Sequence, residues 1–210
     1  MNQFLNNISL RYLFLICFFL LPFSSSISSK TALDITESDF IIGNKDAPIT
    51  IIEYASMSCS HCADFHIKTL PQLIEKYVDT GKIKIVFRDF PFNYPALLGS
   101  MMVRCIPENV RYEYTQALYQ LQSKWVNKEN SKTTQELYKI MQSGGMAKKE
   151  FNNCINNVDL EKGILQSLMN AQSEFDIKST PSFLINGLLV EGNKSLKDFS
   201  KIIDRLILEE

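Results

Sequence analysis

The chain has 210 residues, 45% of them apolar and 21% charged, with a formal net charge of −1. That length suits one sizeable domain with room for an inserted subdomain. A charge near zero, without a run of one sign, excludes the footprint of a nucleic-acid binder and an acidic or basic tail.

Arg11 is the only charge before Lys30. It precedes YLFLICFFLLPF at residues 12–23, an apolar run short of the roughly 20 residues that a membrane span needs, and the small polar stretch SSSISS follows. Residues 1–27 read as a secretory signal peptide, cleaved between residues 25 and 29. An uncleaved membrane anchor is the alternative. Cleavage would remove Cys17 and leave Cys59, Cys62, Cys105 and Cys154. An even count in an exported chain permits disulfides.

Residues 40–42 suggest an edge strand. Residues 47–54, APITIIEY, are short and rich in β-branched and aromatic types, so they read as a buried strand. CSHC follows at once, and Phe65, Leu70, Leu73, Ile74 and Tyr77 then repeat at helical spacing up to Gly81, with a kink expected at Pro71. KIKIVFRDF alternates as a second strand, which makes a βαβ unit with a parallel pair and a right-handed crossover.

From residue 96 to 175 the pattern is helical. Its apolar stripes are Leu98, Met101, Met102 and Cys105; Val110, Tyr114, Leu118, Leu121 and Trp125; Leu137, Ile140 and Met141; and Phe151, Cys154, Ile155 and Val158. Leu160, Ile164, Leu168 and Phe175 return the chain in a long helix. SFLI and LLVE flank Asn186-Gly187, a hairpin signal. Ser195 and Asp198 resemble a capping box before a last helix with Leu196, Phe199, Ile202, Ile203 and Leu206 on one face.

Three chemistries compete for Cys59 and Cys62. Haem attachment needs Cys-x-x-Cys-His, and Ala63 stands where the histidine belongs. A structural zinc needs four ligands; Cys59, Cys62 and His66 supply three, and no second Cys-x-x-Cys or His pair exists. Dithiol–disulfide chemistry needs only what is present, with no metal and no cofactor. Cysteines at i and i+3 share a helix face, and the first meets free N–H groups and the positive end of the helix dipole, which lower a thiol's pKa. A stabilised thiolate favours the reduced state and makes the disulfide more oxidising. A purely structural disulfide is the plainer alternative.

The pair sits after a buried strand and opens a helix inside a βαβ unit, the setting in which Cys-x-x-Cys reads as thioredoxin-like. GNKDAPITIIEYASMSCSHCADFH, together with the distant Thr180-Pro181, resembles the DsbA family of exported thiol–disulfide oxidoreductases over residues 40–208. The resemblance implies an α/β thioredoxin fold with an inserted all-helical subdomain at about residues 96–175, within a domain of residues 30–210. It implies that Cys59 is the surface nucleophile, Cys62 the buried resolving thiol, and Pro181 a cis-proline beside the pair, with Thr180 presenting backbone to an extended substrate. Glu53 matches a buried acid beneath the site that exchanges the Cys62 proton, and a merely structural, hydrogen-bonded Glu53 is the alternative. Ser60 and His61 would tune the potential, and Ser60 departs from the proline of the best-known oxidant members. His66 is expected to be structural or exposed.

Cys105 and Cys154 fit either two buried thiols or a disulfide across the helical block. Export favours the disulfide, which also resembles an extra bridge of alphaproteobacterial members of the family. The leading expectation is a periplasmic, monomeric oxidase of folding exported proteins that a DsbB-like membrane partner reoxidises. An isomerase or reductase, and a zinc-binding module, are the competing readings.

Overall fold

The computed structural model describes residues 33–37 and 39–209. The signal-peptide reading and Cys17 lie outside the described residues. ITIIEYA forms β2 (Ile49–Ala55), buried along nearly its whole length because both faces of the sheet are covered. The sheet has order β1-β3-β2-β4-β5, with β1 at Phe40–Ile42, β3 at Ile83–Asp89, β4 at Ser182–Ile185 and β5 at Leu188–Glu191. Only β2 and β3 run parallel. Asn186 and Gly187 take positive φ at the β4–β5 turn, as a two-residue hairpin requires. Asn186 also ties that turn to β2, its Oδ1 accepting from the Thr50 amide at 2.8 Å.

A helical rod from Ser60 to Val78 crosses one face of the sheet. It alternates α1 (Ser60–Asp64), a π turn (Phe65–Thr69), α2 (Leu70–Leu73) and a second π turn (Ile74–Val78). Pro71 has no N–H to give, and its ring crowds the carbonyl four residues back. The expected kink is taken up by these wide turns, with Pro71 at the start of a fresh α segment. The last helix of the chain, Leu196–Glu209, packs beside the rod through Phe199 and Ile203. Its start is capped as expected, the Ser195 hydroxyl donating to Asp198 at 2.7 Å. Ala171 and Leu168 of the long helix Val158–Phe175 cover the opposite face through Ile52, Tyr54 and Leu184.

Between β3 and that long helix lie α3 (Tyr94–Cys105), α4 (Glu108–Gln120), α5 (Gln122–Trp125), α6 (Asn130–Ser143) and α7 (Lys148–Ile155); the long helix is α8 and the last α9. The stripe read from Val110 to Trp125 is broken at Leu121 between α4 and α5. Val158 opens α8 and is 57% exposed, so it is no part of the Phe151 stripe. Cys105 and Cys154 form a disulfide that joins the end of α3 to α7. Closing 49 residues of chain stabilises by about 4 kcal/mol in the chain-entropy model.

The core of this block continues to the end of the central strand β2 and the start of α1: Ala55, Met57, Cys62 and Ala63 pack with Met102, Leu118 and Trp125. Gly99 of α3 allows the closest approach, since a Cβ there would stand 2.8 Å from both Met57 Cβ and the Trp125 ring. Met57 Cβ cannot swing away. Gly99→Ala is therefore expected to destabilise the protein by about 1–3 kcal/mol, seen as a lower denaturation midpoint at unchanged slope in urea.

Candidate active site

β2 ends at Ala55, and the turn Ser56–Cys59 closes with the Cys59 amide donating to the Ser56 carbonyl at 3.0 Å. Cys59 is thereby the N-cap of α1, in extended conformation, and its side chain caps nothing. Gln122 of α5 holds this turn from above: its side-chain amide donates to the Met57 carbonyl at 2.9 Å and to the Cys59 carbonyl at 3.0 Å. No motif pointed to Gln122, because it reaches the turn from the other side of the fold.

The two thiols are free in this structure. Cys59 is half-buried and Cys62 fully buried. Opposite them the Thr180–Pro181 bond is cis, and the Cys59 thiol donates to the Thr180 carbonyl at 3.3 Å. The Thr180 hydroxyl is buried and without a partner in this dithiol form. Ionising Cys59 turns its sulfur from donor to acceptor, which gives that hydroxyl something to donate to.

The Cys59 thiol is pulled down from an ordinary 9.0 to about 5. The hydrogen bond with the Cys62 thiol is the first cause. Partial burial opposes it, and the Thr180 hydroxyl and the amides of Cys62 and His61 at the helix start add to it. The Cys62 thiol is pushed well above its ordinary value, first by burial, then by the bond it gives to Cys59 and by the charge of Glu53. Ser60 and His61 are exposed at the rim.

Glu53 is fully buried in β2, and its neighbours in register are Phe87 on β3 and Phe183 on β4. Neither strand offers it a polar group. Its partner comes from the rod: His66 Nε2 lies 3.1 Å from Glu53 Oε2. His66 is thus structural in the sense of being 1% exposed, yet it faces the acid beneath the site. The signal for it was its place four residues after Cys62, on the same helix face, below a carboxylate that needed a partner. Because His66 turns to Glu53, it does not join Cys59 and Cys62 as a third zinc ligand. Among the described residues no group of three His, Cys, Asp or Glu is placed to hold a metal ion.

Two thiols so unequally placed, over a buried acid and against a cis-proline turn, are suited to exchange disulfides with an outside thiol: the class is that of thiol–disulfide oxidoreductases on a thioredoxin-type sheet. A family model described as thioredoxin matches residues 35–205, and the chain belongs to that family. A Rickettsia bellii protein named as a protein-disulfide oxidoreductase is 32% identical over 181 residues, covering 86% of this chain and 69% of that protein. A Rickettsia typhi protein of the same name is 30% identical, over 89% of this chain and 68% of its own length. The crystal structure of Wolbachia pipientis alpha-DsbA1 superposes with a TM-score of 0.77 at 32% identity, covering 83% of this chain and 93% of that one. BdbD of Bacillus subtilis shares the fold, with a TM-score of 0.69 at 16% identity. The chain is a thiol–disulfide oxidoreductase with the DsbA-type helical insertion.

Between the depressed pKa of Cys59 and the raised pKa of Cys62, reduction of the disulfide takes up one proton for two electrons. Above pH 5 the reduction potential is therefore expected to fall by about 30 mV per pH unit, steepening to about 60 mV below it. A group with a lowered folded pKa adds stability that is present at high pH and lost as pH falls through that pKa. The reduced protein should thus gain melting temperature over the oxidised one from pH 4 to pH 8. Calorimetry of both forms and glutathione titrations across pH check the two expectations.

Proposed function

We propose that this protein is an oxidase, which donates a Cys59–Cys62 disulfide to cysteine pairs of exported proteins while they fold. The observation that carries this reading is the Cys59 thiol held at about 5. A thiolate that is stable at neutral pH stabilises the reduced enzyme and so strengthens the disulfide as an oxidant.

A substrate thiolate attacks the Cys59 sulfur. The Cys59–Cys62 bond breaks, and its electron pair leaves on Cys62, which takes a proton. The second substrate thiolate then attacks the substrate sulfur of the mixed disulfide. Cys59 departs as a thiolate, a good leaving group because its pKa is low. The substrate has lost two electrons and the enzyme holds them as a dithiol. An extended substrate segment lies along the Thr180–Pro181 turn, where backbone can pair with backbone. Glu53 exchanges the proton of Cys62, and Ser60 and His61 set the potential through the geometry and charge of the helix start.

A signal peptide at residues 1–27, delivery to the periplasm and reoxidation by a DsbB-like membrane partner complete the reading. Among the described residues no helix is long and apolar enough to cross a membrane. The protein is expected to act as a monomer.

A potential of about −120 mV, that of strong oxidants, supports the oxidase, and one of about −270 mV, that of thioredoxin, overturns it in favour of a reductase. Cys62→Ala is expected to accumulate mixed disulfides with exported proteins in cells. Accumulation in Cys59→Ala instead would assign the nucleophile to Cys62.

A further inference from the structure

We propose that His66 is a proton relay for Glu53, passing protons between that buried carboxyl and a small cavity that the His66 ring helps to line. The inference rests on the thiol–disulfide exchange proposed above and names the route by which its buried proton moves. His66 touches neither sulfur and acts through Glu53, so it is a positioning residue.

Each attack on Cys59 leaves an electron pair on a sulfur that is shut off from water, and each reoxidation removes a proton from it. Glu53 cannot exchange protons with bulk water alone. It is fully buried between Phe87 and Phe183. Its Oε1 is buried without a partner, a costly arrangement for a carboxylate oxygen with no task. Its Oε2 meets His66 Nε2 at 3.1 Å. The imidazole is the only polar group bonded to this carboxyl among the described residues.

The other ring nitrogen leads outward. Gln116 Nε2 of α4 lies 3.3 Å from His66 Nδ1. Either ring nitrogen can carry the hydrogen, and the Gln116 amide, with a donor and an acceptor at its end, can face Nδ1 in both tautomers. A bond of 3.3 Å is long and easily released. His66 also lines a cavity of about 30 Å³, together with Arg88, Asp89, Arg104, Thr115 and Tyr119 and five apolar side chains. That volume exceeds the roughly 10–15 Å³ that one water needs, and the lining offers several polar partners. At its outer side Arg104 pairs with Asp89 at 2.7 Å, with 17% and 13% of the two side chains exposed.

The step balances as a concerted shift. The Glu53 carboxylate takes the proton of Nε2 and hands one to the Cys62 thiolate, while Nδ1 receives one from a hydronium ion that stays behind as water in the cavity; reoxidation runs the same transfers backward. The charged and titratable groups around the ring are Glu53 from β2, Arg88 and Asp89 from β3, Arg104 from α3 and Tyr119 from α4. Arg88 is bound to Asp39 at 2.8 Å. The Tyr119 ring stacks on the imidazole at 4.2 Å, and burial pushes its hydroxyl well above its ordinary value, so it stays protonated.

The test uses His66→Gln, which can still donate to Glu53 but cannot take a second proton. Single-turnover oxidation of a dithiol peptide is expected to slow at least about tenfold at pH 7. Glu53→Gln should behave alike, and the double variant should lose nothing further, as for two residues of one relay. A wild-type rate in His66→Gln, or additive losses, would overturn the relay. If the variant does not fold, nitrogen-15 NMR of the wild-type protein decides, since His61 and His66 are its two histidines. The His66 imidazole is expected to differ in tautomer or charge between the chemically oxidised and reduced forms. An identical ring in both forms from pH 5 to pH 9 would sink the proposal. If the wild-type protein oxidises no peptide, the oxidase reading falls by itself, while the NMR comparison still reports on His66.

Discussion

Two sulfurs three residues apart experience opposite surroundings, and the chemistry of the protein follows from that inequality. Cys59 stands at the open end of a helix, where N–H groups, a neighbouring thiol and a buried hydroxyl all favour a negative charge. Cys62 is one turn further in, where burial and the Glu53 charge oppose it. The bond between the two thiols works in both directions: Cys62 gives its hydrogen to Cys59, which lowers one pKa and raises the other. The pair thus joins a half-exposed thiol that ionises readily to a buried one that holds its proton.

That inequality depends on where the helix starts, and several elements hold the start in place. The sheet supplies β2, which delivers the turn to the edge of the core. The helical block supplies Gln122, whose amide clamps the Met57 and Cys59 carbonyls. The missing side chain at Gly99 lets α3 approach Met57 and Trp125. Cys62 itself packs in the core of the helical block rather than in that of the sheet. The block is therefore part of the active site's wall, and its disulfide ties two helices of that wall together.

Beneath the pair, the fold tolerates a carboxyl in its most apolar strand. Burying such a group without a partner is costly, and the two flanking strands offer only phenyl rings. The π turn at Phe65–Thr69 brings an imidazole to it. In the relay proposed above, this pair of groups links the hidden sulfur to the cavity that the ring helps to line. A simple apolar core would have been easier to pack.

Much of this was legible in the amino-acid sequence, because local patterns carry it. The alternation of ITIIEY and KIKIVF, the Asn186-Gly187 turn, and Cys59-x-x-Cys62 at a helix start are each dictated by neighbours in the chain. So is the apolar character of Cys105 and Cys154, which allowed a disulfide without proving one. The tertiary structure decided what long-range approach alone can decide: that Cys105 meets Cys154, that Gln122 reaches the turn before Cys59, and that Val158 points to solvent. It also decided that His66, which the sequence placed on the right helix face but left without a task, would find Glu53. A sequence specifies which groups are costly to bury; only the packed chain determines which distant partner arrives to satisfy them.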